Sequence, residues 1–193
     1  MSGILAPRIM IAIDGAPSTL AALVTSLVVT LRFPAPIDGA EIEISDNDGA
    51  AALPRQGASL RLAVEQSGGL AIDIFSGRVT GAIATGSDGG RRLVIHGAGP
   101  NSAAPAAREA PLTCRAGQNL VSWTLPARLA GASVAAAGHD STLLLTAEPE
   151  LRPGRTVTVA GARAEIDGDY FVDRVTHRFN NTSGFLTELR VTR

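Results

Sequence analysis

Apolar residues recur with a period of two over most of the chain. In Arg8-Ile9-Met10-Ile11-Ala12-Ile13 the three isoleucines share one face, and Asp14-Gly15 follows as a turn. Glu41-Ile42-Glu43-Ile44 alternates strictly, which sends Ile42 and Ile44 to a core and both glutamates to water. Leu60, Leu62 and Val64 repeat the pattern, with Arg61 and Glu65 on the other face. Successive side chains of a strand leave opposite faces, so each run describes a strand with one solvated side. The same reading predicts strands over Leu27–Phe33, Ile72–Ala84, Arg92–His96, Asn119–Leu125, Thr142–Ala147, Arg155–Ala160, Tyr170–Phe179 and Phe185–Val191. In the last of these Phe185, Thr187, Leu189 and Val191 face one way, and Leu186, Glu188 and Arg190 the other.

Turn chemistry falls between the runs. Gly86-Ser87-Asp88-Gly89-Gly90 and Asn180-Asn181-Thr182-Ser183-Gly184 are hairpin connections by composition, being rich in residues that tolerate positive φ. Short strands at this spacing predict an all-β fold, a barrel or a sandwich, with at most one or two short helices. Between Gly97 and Arg115 the character changes. Pro100, Pro105 and Pro111 stand among Ala, Gly and Ser, and Pro suits neither a sheet ladder nor a helix interior. This stretch reads as a surface loop or linker, and divides the chain into residues 1–103, a Pro/Ala-rich linker over 104–118, and residues 119–193. Pro126–His139 stays open between a helix, favoured by its alanines, and a strand over Ser133–Ala137.

Composition narrows the function classes. The chain has 193 residues, 45% hydrophobic and 18% charged, which is globular composition. A net charge of −1 offers no global field for nucleic acid or an anionic membrane. All seventeen basic residues are Arg. This fits the codon bias of a GC-rich genome, and Arg also suits partly buried ion pairs through its planar fork. The apolar run Leu20–Leu31 contains Thr25, Ser26 and Thr30 and falls short of the ~20 residues a membrane helix needs. Arg8 precedes only five apolar residues before Asp14-Gly15, so no signal peptide is expected. Cys114 is the single cysteine, which excludes an internal disulfide framework and reads as a buried or half-buried thiol.

No catalytic constellation is visible. His96, His139 and His177 lack a second His at ligand spacing, and a zinc site needs three or four converging ligands. Asp46-Asn47-Asp48-Gly49 resembles a calcium loop, but with Gly49 as sixth position the first is Ile44, which cannot ligate; a turn is expected. Gly97-Ala98-Gly99 lacks the third glycine of a phosphate loop and meets Pro100. His139-Asp140-Ser141 holds three triad residue types, yet neighbours in sequence cannot place the imidazole between nucleophile and acid. Glu148 and Glu150 flank Pro149 as a solvated loop. Arg174 and Arg178 share a strand face, with Asp173 and Glu188 offsetting them. One Trp, one Tyr and five Phe are too few for a stacking platform, which argues against single-stranded nucleic-acid or glycan binding. The expectation is no enzyme, no catalytic, cofactor or metal residue, and no cofactor.

Several phrases together resemble the phage late control protein D family. They are Glu41-Ile42-Glu43-Ile44-Ser45-Asp46-Asn47-Asp48-Gly49 and then Leu53-Pro54-Arg55-Gln56-Gly57-Ala58. Pro149-Glu150-Leu151-Arg152-Pro153-Gly154, Thr156-Val157-Thr158-Val159 and Asp167-Gly168-Asp169-Tyr170-Phe171-Val172 follow in the family's order. Arg174-Val175-Thr176-His177-Arg178 and Gly184-Phe185-Leu186-Thr187-Glu188-Leu189 complete it. The resemblance covers about half of the chain, at both ends. It implies a tail baseplate hub: two tube-like β-barrels per subunit, a homotrimeric ring below the tail tube and above the central spike, and a particle assembled in the bacterial cytoplasm. Its implied partners are further copies of the chain, the tail tube protein, the central spike protein and the tape measure protein, with no sequence-specific nucleic acid. Family members carry a long insertion where this chain has only residues 127–141, so a shortened hub is implied. Two other readings compete: a β-rich glycan- or receptor-binding module of a tail particle, and a small tail-associated hydrolase using His96, His139 or His177.

Overall fold

The computed structural model describes residues 7–34, 37–65, 69–87, 90–100, 111–125 and 141–193. They form thirteen strands: β1 (Arg8–Ile13), β2 (Ala16–Pro17), β3 (Val24–Arg32), β4 (Ile37–Ser45), β5 (Ser59–Glu65), β6 (Ala71–Ser87) and β7 (Gly90–Pro100), then β8 (Leu112–Arg115), β9 (Leu120–Thr124), β10 (Thr142–Thr146), β11 (Thr156–Ala160), β12 (Gly168–Asn180) and β13 (Gly184–Thr192). A 3₁₀ turn, Thr19–Leu23, leads into β3, capped by the Ser18 hydroxyl on the Leu20 N–H. The all-β class expected from alternation is the class observed. Ile42, Ile44, Leu60, Leu62 and Val64 are buried, and so are Phe185, Thr187, Leu189 and Val191.

The strands hydrogen-bond in the order β2-β1-β5-β6-β7-β4-β3-β12-β13-β10-β9, with β11 on β12 and β8 on β11. All pairs between named strands are antiparallel except β8 with β11. Local signals set the turns. Asp14 and Gly15 carry φ of 50° and 79°, the positive pair that a two-residue type I′ hairpin demands. They join β1 to β2 in the register Ile13 with Ala16. The Asp14 carboxylate then accepts from the Ser59 N–H at 3.0 Å, tying the turn to β5.

Strand β12 unites the two ends of the sequence. Phe171 and its predecessors pair with β11, while Arg174–Asn180 pair with β3. The register of β12 against β13 shifts between Val172 and Arg174. This bulge is where β12 changes partner, and the freed Asp173 carbonyl accepts from the Phe33 N–H at 2.8 Å. β3 and β12 thus form a seam of seven register pairs, from Ser26 with Asn180 to Arg32 with Arg174. Beneath it Leu27, Val29 and Leu31 meet Val175, His177 and Phe179 in one continuous core.

One expectation needs correction, at two places. The stretch Gly97–Arg115 is not all loop: β7 continues through Gly97 to Pro100, and Leu112–Arg115 is a strand on β11. Residues 104–110 of the expected linker lie outside the described residues, as do the helix or strand over Pro126–His139 and the turn centre Asp88-Gly89. The glycines explain the first correction. A Cβ on Gly99 would stand 2.2 Å from the Ser76 carbonyl oxygen, and one on Gly77 would stand 2.4 Å from the Ala98 oxygen. β6 and β7 approach too closely there for side chains, so glycine is a requirement of this strand rather than a sign of a loop. Gly99→Ala is expected to cost about 2 kcal/mol, which lowers Tm by about 4–8 °C in a chain of this size. Gly39→Ala, whose Cβ would enter open space, is the control and should stay within about 0.5 kcal/mol. Calorimetry of both variants checks the pair.

Candidate assembly surface

The sheet from β7 through β4, β3, β12 and β13 to β10 has its inner face in the core and its outer face toward solvent. Register puts Arg92, Val94 and His96 of β7 on the outer side with Glu41 and Glu43 of β4. Next to them come Val28, Thr30 and Arg32 of β3, Arg174, Thr176 and Arg178 of β12, and Leu186, Glu188 and Arg190 of β13. Charges of both signs interleave. Arg92 meets Glu43 at 2.9 Å, Arg178 meets Glu188 at 3.1 Å, His96 lies 3.7 Å from Glu41, and Arg190 lies 3.9 Å from Asp173. Arg174 and Arg178 share one face as expected, and Glu188 offsets Arg178, but the ion pair of Asp173 is with Arg190 instead. Such exposed pairs each contribute at most about 1 kcal/mol, so they keep the face soluble more than they hold the fold. Arg32, Arg174 and Arg190 stand in register across three adjacent strands.

Buried polar groups on the inner side are His177 and Thr187 at the seam and Asp38 on the neighbouring β4. His177 is fully buried, with Nδ1 3.2 Å from the Thr187 hydroxyl and its ring stacked on Phe185 at 5.6 Å. Its Nε2 has no hydrogen-bond partner in good geometry; the Leu151 carbonyl, which also accepts from Arg152, lies near it and slightly favours the charged ring. Burial, with the charge of Arg152 adding to it, pushes the His177 pKa down to about 3. The ring is therefore neutral at pH 7.

Arg152 crosses the seam. Its guanidinium donates to the carbonyls of Pro149 at 2.7 Å and Leu151 at 2.8 Å, and to the Asp73 carbonyl of β6. Asp73 in turn holds Arg61 of β5 through two hydrogen bonds, at 2.7 and 2.5 Å. One cation thereby fastens the loop before β11 to the N-terminal part of the sheet. Burial and the neighbouring Arg155 lower the Arg152 pKa, while Asp38, Asp73 and Glu150 pull it back up. Nothing in the sequence pattern marked Arg152; its partners are backbone carbonyls that only the fold brings to it.

The residues weighed for chemistry disperse. His96 is on the outer face and His177 in the core, so they do not converge, and His139 and Asp140 lie outside the described residues. Among the described residues no group of three or more His, Cys, Asp or Glu is placed to hold a metal ion. Asp46 and Asp48 spend their carboxylates on the N–H groups of Ala51 and Ala50, as a turn does. Glu148 accepts from Asn119 at 3.2 Å and is held above the usual carboxylate range by burial.

Cys114 is buried on β8 and its pKa is pushed up to about 12, by burial first and by Glu148 second. It is no thiolate nucleophile at neutral pH. A maleimide dye should label it in the native protein at least ~100-fold more slowly than in urea, because labelling waits for opening. Because the folded thiol ionises later than an unfolded one, the stability it shares is complete below about pH 9 and falls above. Equal labelling rates with and without urea would contradict this placement.

No family model matches the chain, and no curated protein matches it in sequence. Its fold does match solved structures. The tail protein from Neisseria meningitidis MC58 superposes with a TM-score of 0.66 at 10% identity, the match covering 97% of this chain and 96% of that one. The 43 kDa tail protein of prophage MuSo2 from Shewanella oneidensis gives 0.65 at 9% identity, over 97% of each. An E. coli component of the type VI secretion system, itself structurally similar to the T4 bacteriophage tail proteins gp27 and gp5, gives 0.53 at 10% identity, over 94% of this chain and 76% of that one. The chain shares the fold of these tail and secretion components.

Proposed function

We propose that this chain is a structural subunit of a phage tail or a related injection apparatus, and within it the hub that forms a ring between tail tube and central spike. It acts without catalysis. The observation that carries the reading is the extent of the fold likeness, which runs through both ends of the sequence instead of through one strand motif. The order of the phrases from Glu41 to Leu189 supports the finer assignment to a late control protein D type hub.

The test is assembly. Light scattering of the purified chain, alone and with tail tube and spike proteins from the same genome, should give a ring-sized homo-oligomer, a trimer by the family resemblance, that binds both. A chain that stays monomeric at high concentration and binds neither partner overturns the reading.

A further inference from the structure

Strand β6 is seventeen residues long, and its two ends are treated differently. β5 pairs with it over Ala71–Arg78. At Val79 the loop before β5 takes over, with Gly57 N–H donating to the Val79 carbonyl at 2.8 Å and Val79 N–H to Ala58 at 2.9 Å. From Thr80 to Ser87, β7 covers one edge, and among the described residues no strand pairs with the other. That is an edge of eight residues, roughly 27 Å long at the rise of an antiparallel strand. Its sequence, Thr80-Gly81-Ala82-Ile83-Ala84-Thr85-Gly86-Ser87, holds no charge and no proline. Ile83 is 54% exposed on it. Proteins protect free edges with charges, prolines or short length. This edge carries a bulge at its root, between Val79 and Gly81, and no charge or proline beyond it.

The distal half of β6 begins an uninterrupted run of eight strands, β6-β7-β4-β3-β12-β13-β10-β9. At the far end β9 has β10 as its strand partner among the described residues, plus a single bridge from Leu120 to Ala116. β9 is also uncharged, and it exposes Val121 at 51% and Trp123 at 39%. The other edges among the described residues are unlike these: β8, which pairs with β11 alone, is four residues long and carries Arg115. β1 carries Arg8, and β2 with the Ser18 N–H covers Ile11–Ile13.

We infer that the distal edge of β6 pairs with the β9 edge of a second copy of this chain, so that the eight-strand run continues from copy to copy. The occupant is a second copy because the two edges terminate the same sheet, are both uncharged and both display apolar side chains. Each copy offers one edge of each kind. A contact of this head-to-tail type closes into a ring when its rotation closes. The inference deepens the ring reading above and rests on it for closure.

Two variants test it. Ile83→Lys/Thr85→Lys charges the β6 edge on its solvent side, and Val121→Lys charges the β9 edge. Each is expected to keep the wild-type circular dichroism and Tm and to reduce the oligomer to the 19.8 kDa monomer. Mixed together, the two variants retain one intact edge each and should form a one-to-one dimer that grows no further. An oligomer mass unchanged by either variant, a mixture that yields no dimer, or a wild-type chain that is monomeric overturns the inference. If the oligomer depends on both edges yet binds neither tube nor spike protein, the edge pairing stands and the tail reading falls.

Discussion

Replacing Arg152 by alanine is expected to remove about 3–4 kcal/mol of stability, the largest effect of any single side-chain truncation on this surface. Its guanidinium donates to three carbonyls, those of Pro149, Leu151 and Asp73. A hydrogen bond from a charged donor is worth about 1.5–3 kcal/mol, and three on one group do not add in full. Truncation also removes the link from the loop before β11 to β6. Hydrogen exchange should therefore rise in residues 148–155 and around Asp73 before it rises elsewhere. Arg152→Lys keeps the charge but loses the fork, and should recover less than half of the loss. Urea denaturation reads the stability; a loss below about 1 kcal/mol would mean the guanidinium is a bystander.

Acid should loosen the same seam through His177. The folded pKa is near 3 and the unfolded value is 6.5, so between these pH values the unfolded chain binds a proton that the folded chain refuses. Stability is thus complete above pH 6.5 and falls as the pH drops, by about 1.4 kcal/mol per unit once well below 6.5. From pH 7 to pH 4.5 this amounts to about 3 kcal/mol. Glu148 acts in the opposite sense, since its raised pKa lets the folded chain take up a proton earlier than the unfolded one. The difference between wild type and His177→Phe separates the two. The phenyl ring can stack on Phe185 and cannot titrate, so the variant should be less stable at pH 7, where the bond to Thr187 is lost, and should close the gap by pH 4.5. A wild-type-minus-variant difference that does not change with pH would place the proton elsewhere.

Much of the fold was legible in alternation. Ile42, Ile44, Leu60 and Leu62 are buried because a strand has only two faces, and a run with one apolar face leaves no choice. The hairpin at Asp14-Gly15 was legible for a similar reason, since few residue pairs accept positive φ twice. Where the pattern misled, close approach was the cause. Gly97 and Gly99 carry no side chains to alternate, so β7 looked finished at His96, yet they are the residues that let β6 lie against it. Leu112–Arg115 is too short to show a period and follows Pro111, and its parallel partner β11 is more than forty residues away.

Which positions face inward, where the turns fall, and that no ligand set or nucleophile motif is written in consecutive residues could all be read along the chain. Those are local properties, fixed by φ, by the two-residue repeat and by spacing. It took the folded chain to establish that β3 pairs with β12, that Arg152 reaches Asp73 across the seam, that His177 Nε2 is buried without a partner, and that among the described residues no strand pairs with the far edge of β6 over Thr80–Ser87. Strand order is a choice among backbones that offer the same donors and acceptors everywhere. It is settled by the packing of the whole core, which no single segment encodes.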